Sequence, residues 1–339
     1  KSTTTAMLGL LLLKAGLDPT VIVGTKLKEF GNSNCRVGKS KYLVIEADEH
    51  FASFLNYRPK MIVLTSVEAD HLDFYKTLSN IIKTFRKYLL LLPREGIVIA
   101  NADDPNTAAM VKSLPYRIEK YSLKQKEAMK LRKLLKIPGE HNVADALAAL
   151  TASRVLGVPD AVSFRSLSEY RGSWRRFEIF NLKTKNRAPY TLVSDYGHHP
   201  TKIRVTVEGA RSKWPKKKIW LVYQPHQYAR TYYLFKDFVK VLSQLKIEKL
   251  ILTDIFDVAG REENDIRRKV SSKKLFEAIQ KTKRKNLEVL YIPSSPPFQA
   301  IEEYLAQHIK GGEIIIIMGA GNIYGLTLQL TKDSSREKI

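Results

Sequence analysis

The sequence predicts an α/β protein built on open, doubly wound sheets, and two observations carry that prediction. Short apolar runs rich in β-branched residues recur along the chain: "KYLVIEAD", "MIVLTSVEAD", "GIVIANADD", "KKIWLVYQP", "EKLILTDIF", "LEVLYIP" and "EIIIIMGAG", each bounded by Asp, Pro or Gly. Continuous apolar character over so few residues fits strands buried on both faces, as in parallel sheets. Segments of helical spacing lie between them, such as "TLSNIIKTFRKYLLLL", "HNVADALAALTASRVLG" and "TYYLFKDFVKVLSQL". Strand–helix alternation of this kind gives doubly wound sheets, whose ligands bind beyond the carboxyl ends of the strands.

A length of 339 residues fits two domains, at about 150 residues each. The turn-rich passage "SEYRGSWRRFEIFNLKTKNRAPYTLVSDYG" breaks the alternation with a hairpin-like pattern, which places a boundary near Ser173 and expected domains at 1–173 and 174–339. The longest apolar run, "LGLLLL", is far below the length of a membrane span, which needs about 20 residues. The single cysteine, Cys35, excludes an internal disulfide framework and fits a cytoplasmic location. A net charge of +23 suits polyanionic partners, either phosphorylated small molecules or nucleic acid. A non-catalytic nucleic-acid module would interleave aromatics with its cations. Here the cations are scattered, in "KWPKKK", "IRRK" and "KTKRK".

The first residues, "KSTTT", run straight into an apolar helical pattern. Lys followed by hydroxyl residues at a helix start is how a phosphate loop ends, with Lys on the phosphates and a hydroxyl on Mg²⁺. It is also how an ordinary helix caps itself.

Polar residues after strands supply the other candidates. Glu46, Asp48 and Glu49 follow one apolar run, and Glu68, Asp70, His71 and Asp73 follow the next. Oxygen-rich sets of this type suit Mg²⁺, although each alone fits surface charge or helix capping equally well. In "IPGEHNVADALAAL", Asn142 opens a helix, either as a cap or as an amide able to both donate to and accept from an adenine edge. Asp195, Tyr196, His198 and His199 follow another strand, and Gln224, His226, Tyr228 and Arg230 follow the next.

Nine motifs stand in one order: "KSTTT", "EADE", "VEADHLDFY", "NADDP", "PGEHN", "RRFE", "DYGHHP", "QPHQYAR" and "GAGNI". In that order the chain resembles the Mur ligase family, ATP-dependent amino-acid ligases of peptidoglycan synthesis, over essentially its whole length. "DYGHHP" followed by "QPH" is most similar to the alanine-adding member. A ligase of the same family that recycles a peptide onto the same muramate acceptor is the nearest alternative. The resemblance implies a central P-loop ATPase-type domain followed by a C-terminal Rossmann-like domain. It also implies that the family's N-terminal UDP-binding domain and the glycines of the phosphate loop are absent from the stretch beginning at Lys1, and that this stretch alone is inactive as a ligase.

The implied substrates are ATP, UDP-N-acetylmuramate and L-alanine, joined through an acyl-phosphate intermediate with Mg²⁺. By resemblance Lys1 contacts the β- and γ-phosphates, with Ser2 and Thr3 beside it, while Ser2, Glu46 and His71 surround the metal. Asn142 is expected at adenine, Arg175 or Arg176 at the phosphates, Asp195 at the ribose or holding the geometry between the domains, and Tyr196 among the ATP-binding residues. His198, His226 and Arg230 are expected to frame the amino-acid pocket. Departures from the family pattern are Gln227 in place of Arg, Asp145 and Ser66 in place of Asn, and a short segment between Asp104 and Pro138.

Overall fold

The apolar runs become strands in a computed structural model that describes residues 1–258 and 264–336. The chain divides into two compact units, Lys1–Trp174 and Arg175–Ile339.

The first unit opens with a helix, Ser2–Lys14, buried on almost every face. Its side chains join a core with Val143, Ala146, Leu147 and Leu150 of the helix Glu140–Val155. An added Cβ on Gly9 would lie 2.9 Å from the methyls of Val21, so glycine lets this helix approach the neighbouring strand closely. That strand is β1 (Thr20–Leu27), followed by β2 (Ser33–Arg36) and β3 (Leu43–Ile45). The three form one sheet in the order β2-β1-β3, antiparallel between β1 and β2 and parallel between β1 and β3.

A second sheet holds β4 (Met61–Leu64), β5 (Ile97–Asn101) and β6 (Arg117–Tyr121), all parallel. The motif "NADDP" explains itself here as a helix start. The Asp104 carboxylate accepts from Thr107 N at 2.8 Å, with Pro105 at the first helical position.

The second unit is built on one six-stranded sheet, from β7 (Glu178–Lys183), β8 (Pro189–Asp195), β9 (Ile219–Tyr223), β10 (Lys249–Leu252), β11 (Glu288–Tyr291) and β12 (Ile314–Met318). Its order is β11-β10-β9-β12-β8-β7, parallel throughout except for the β7–β8 hairpin. Central strands β9, β10 and β12 are buried along their whole length, as continuous apolar runs require. Ile316 of β12 pairs with Leu221 on one side and Val193 on the other.

The expectation of burial on both faces fails at sheet edges. β3 and β11, read as fully buried, stand at edges and are only partly covered. β1, which alternates buried and exposed positions, follows the half-buried period of two instead.

After β9 the chain turns towards β10, while β12 sits on the opposite side of β9. Connections therefore diverge at the β9–β12 boundary, where a doubly wound sheet leaves a crevice beyond its carboxyl ends. Among the described residues, no helix is long and apolar enough to cross a membrane.

Candidate active site

In the first unit the start of the first helix meets the segment following β3. Ser2, 5% exposed, donates from Oγ to Glu46 Oε1 at 2.9 Å. The other carboxylate oxygen, Glu46 Oε2, accepts from Gly24 N at 2.6 Å. A side chain at Gly24 would collide with that carboxylate, its Cβ falling 2.8 Å from Oε2. The Lys1 ammonium forms a close ion pair with Glu49 and lies 3.7 Å from Asp48 Oδ1. His71 Nε2 lies 3.9 Å from Glu49 Oε1 and 4.0 Å from Asp70 Oδ2.

Four of the expected residues, Lys1, Ser2, Glu46 and His71, are therefore drawn into one neighbourhood. Glu49 is the link between the lysine and the imidazole, a role the sequence pattern left unassigned.

Electrostatics in this cluster favour charge. Burial opposes the Lys1 ammonium, but Glu49, Asp48 and Glu46 together hold its pKa above the ordinary lysine value. Burial likewise pushes Glu49 up, and the Lys1 charge and hydrogen bond, with a contribution from His71, bring it below the usual carboxylate range. The result is a cation held among carboxylates at the start of a buried helix.

The donor set fits a hard divalent cation. Ser2 Oγ and the Glu46 carboxylate are oxygen ligands already in contact, with an imidazole in the same neighbourhood. Among the described residues, no group of three or more His, Cys, Asp and Glu side chains forms a complete metal cage. Mg²⁺ commonly takes one or two carboxylates and fills its sphere with waters and substrate phosphates.

Asn142 is buried, and its Nδ2 donates to Pro138 O at 2.6 Å, bracing the turn that opens its helix. Three residues on, Asp145 accepts a hydrogen bond from Thr4 Oγ1. The departure at Asp145 thus ties its helix to the helix that begins with Ser2. Thr3 is partly exposed on that first turn.

In the second unit the carboxyl ends of β8, β9 and β12 bring together the other candidates. His198 Nδ1 faces Tyr196 O at 3.2 Å and its Nε2 lies 3.3 Å from Lys202 Nζ. The His198 and His226 rings are 5.9 Å apart, and His226 stacks on Phe256 at 5.5 Å. Arg230, 8% exposed, places Nη1 2.8 Å from Gln227 Oε1, 3.2 Å from His226 Nδ1 and 3.4 Å from His226 O. The expected amino-acid set His198, His226 and Arg230 converges, and Gln227 orients the guanidinium.

Gln224 and the "GAGNI" loop complete this end of the sheet. Gln224 Nε2 donates to Asn322 Oδ1 at 2.9 Å, and its Oε1 accepts from Ile323 N at 3.1 Å. A Cβ on Gly321 would lie 2.3 Å from the Phe256 ring, so only glycine fits this close approach.

Arg175 and Asp195 are engaged with the backbone. The Arg175 guanidinium is buried, donates to Gly319 O and to Gly321 O, the latter at 3.2 Å, and lies 5.0 Å from the Tyr196 ring and 5.2 Å from that of Tyr324. Burial pulls its pKa below the ordinary value, against support from the two tyrosines. The Arg175 guanidinium thus braces the loop. Arg176 covers Tyr196 at 4.8 Å and is half-buried. Asp195 Oδ2 accepts from Phe177 N at 2.9 Å and Oδ1 from Gly197 N at 2.7 Å. Its carboxylate fixes both flanking turns.

Comparison with known proteins finds two family models along the chain. Residues 1–153 match the Mur ligase middle domain and residues 175–321 match the Mur ligase glutamate ligase domain. The chain belongs to the Mur ligase family. A UDP-N-acetylmuramate–L-alanine ligase of Caldanaerobacter subterraneus is 37% identical over 347 residues, covering 96% of this chain and 72% of that protein. One of the same name from Aquifex aeolicus is 36% identical and covers 100% of this chain and 74% of its own length.

The fold is shared with the UDP-N-acetylmuramate–alanine ligase of Thermotoga maritima, with a TM-score of 0.75 at 22% identity, over 100% of this chain and 74% of that one. A MurF ligase of Thermotoga maritima in complex with ADP shares it too, with a TM-score of 0.69 at 17% identity, over 99% of this chain and 78% of that one. As a member of this family, the chain is a ligase of peptidoglycan synthesis.

Proposed function

We propose that this Mur ligase joins L-alanine to UDP-N-acetylmuramate at the expense of ATP. The observation that carries the reading is the convergence of Lys1, Ser2, Glu46 and His71 around the start of one buried helix. Residues 1–173 then form the ATP-handling domain and 174–339 the amino-acid-handling domain.

In the first half-reaction a carboxylate oxygen of the acceptor attacks the γ-phosphorus of ATP, and the bond to ADP breaks. In the second, the alanine amine attacks the acyl carbon and phosphate leaves. Such chemistry needs charge neutralisation and alignment rather than a covalent nucleophile on the protein. Lys1 offsets charge on the β- and γ-phosphates, with Ser2 and Thr3 at the same helix start. Ser2, Glu46 and His71 would hold Mg²⁺, which when bound neutralises the triphosphate. Asn142 lies at the adenine end, with Arg176, Asp195 and Tyr196 on the nucleotide side. Arg230, oriented by Gln227, takes the alanine carboxylate, with His198 and His226 lining the same pocket.

Support comes from the donor chemistry of both clusters and from the names of the relatives that span this chain. The test, made on a chain that carries the UDP-binding domain and phosphate loop the family resemblance implies, is ADP formation measured with UDP-N-acetylmuramate and either L-alanine or a tripeptide with a free N-terminal amine. Dependence on L-alanine is the expected result. Preference for the tripeptide would assign the recycling reaction instead, and no acceptor-dependent ADP formation would overturn both.

A further inference from the structure

Aromatic rings lead outward from the Lys1–Glu49–His71 cluster in an unbroken series. The His71 and His50 rings are 4.5 Å apart, His50 and Phe51 4.2 Å, Phe51 and Phe74 5.2 Å, and Phe74 and Tyr75 4.8 Å. The series returns to its origin, because the Tyr75 hydroxyl donates to the backbone carbonyl of Glu49. At its outer end, Phe51 is 60% exposed and Phe74 40% exposed. The two rings form a small exposed apolar surface beside a charged cluster.

The backbone here is held in unusual conformations. Phe51, Ala52 and His71 have φ of 51°, 56° and 53°, in the left-handed region that non-glycine residues avoid. Strain of this kind concentrates where a site must present particular side chains. Phe51, in this conformation, lies exposed beside Phe74.

We infer that Phe51 and Phe74 form an aromatic platform for the apolar face of the acceptor's pyranose ring. This rests on the proposed ligase reading, in which the acceptor carboxylate must reach the γ-phosphate beside Lys1. The sugar carrying that carboxylate then lies within one ring's width of the cluster, where the aromatic series leads. A pyranose presents C–H groups on one face, and aromatic rings receive such a face by close packing. The adenine end of ATP does not compete for this place. Its expected partner, Asn142, lies on the helix that Thr4 reaches through Asp145, whereas the aromatic series leaves from Glu49 and His71. Phe51 and Phe74 are positioning residues for the acceptor.

The test, on the chain carrying the implied UDP-binding domain and phosphate loop, is calorimetric binding of UDP-N-acetylmuramate to the wild type, Phe74→Ala and Phe74→Tyr, alongside steady-state kinetics for all three substrates. Phe74 is used because Phe51 occupies the strained conformation, and thermal melting checks that the variants are folded. Phe74→Ala is expected to weaken acceptor binding about tenfold and to raise its KM equally, leaving the KM for ATP and L-alanine unchanged, with Phe74→Tyr restoring both. Ligation by the wild type with unchanged acceptor binding in Phe74→Ala would overturn the platform and leave the ligase reading intact. Equal losses for ATP and acceptor, or no rescue by Tyr, would also overturn it. Absence of acceptor binding and ligation in the wild type would overturn both.

Discussion

Ser2 Oγ sits 2.9 Å from Glu46 Oε1 across a sequence separation of 44 residues, and Gly24 N holds the other oxygen of that carboxylate. The hydroxyl and the carboxylate thus face each other directly, with the backbone of Gly24 fixing the far side of the carboxylate. Ser2→Ala removes one oxygen donor while leaving Glu46 held by Gly24. The expected outcome is a rise of about tenfold or more in the Mg²⁺ concentration for half-maximal activity. Melting temperature should also fall by a few degrees, because a part-buried carboxylate oxygen loses its donor. A titration of activity against Mg²⁺ reads this directly, and an unchanged midpoint would remove Ser2 from the metal's surroundings.

Thr4 and Asp145 link the first helix to the helix Glu140–Val155. Thr4→Val conserves shape but withdraws the hydroxyl from a partly buried carboxylate. A loss of about 1–3 kcal/mol is expected, the cost of leaving that acceptor without its donor. Asp145→Asn keeps an acceptor oxygen and should cost well under half as much. Urea unfolding of the two variants compares them.

Arg230 engages Gln227 and His226 through one nitrogen of its fork. Arg230→Lys supplies a point charge without the fork, so the KM for L-alanine should rise at least about tenfold with the KM for ATP unchanged. Gln227→Arg adds a second cation to the same pocket and should lower that KM. A matching change in the ATP KM would show that the pocket serves another ligand.

Asp254 accepts from Tyr291 and from Ser294 N at 2.8 Å and Oγ at 3.0 Å. Burial pushes its carboxyl up, but these donors prevail and hold it below the ordinary 3.8. A carboxylate with a depressed folded pKa stabilises the protein above its unfolded value, and that stabilisation disappears as pH falls through the folded value. Tyr291 is displaced in the other direction, up to about 12, by burial first and by its bond to Asp254. Its contribution is full below pH 10 and is lost as pH rises towards 12. Tyr291→Phe should therefore flatten the stability profile at the alkaline end and raise the Asp254 pKa, measured by denaturant unfolding across pH and by carboxyl NMR titration.

Ile316 is fully buried in β12 between two paired strands. Ile316→Ala should cost about 2–5 kcal/mol. A cost under 1 kcal/mol would show a sheet that collapses around the gap.

The central strands β9, β10 and β12 were legible because an unbroken apolar run has few other homes. β1 does not stand out in this way. Its signal is the alternation in "TVIVGTKL", interrupted by Gly24 and Thr25, and a half-buried period of two makes no continuous apolar run. At the candidate site, Lys1, Ser2, Glu46 and His71 could be selected from motif order, since each stands beside a recognisable strand or helix end. Their partners could not. Whether Lys1 meets Glu46 or Glu49, and whether Arg175 reaches a ligand or the carbonyls of Gly319 and Gly321, depends on tertiary approach across long separations. Asp195 carries the same lesson. Its position after β8 was visible, but its two backbone partners became evident only once Phe177 and Gly197 were placed around it.

Arg175 and Gln224 grip the turn at Gly319–Ile323 from two directions, one through its carbonyls and the other through an amide and a side chain. A turn so tethered has little freedom left to surrender when a small guest settles beside it. On the proposed reading, an amino acid as slight as alanine offers few contacts to offset such a loss, and a rim already rigid would let those few contacts suffice.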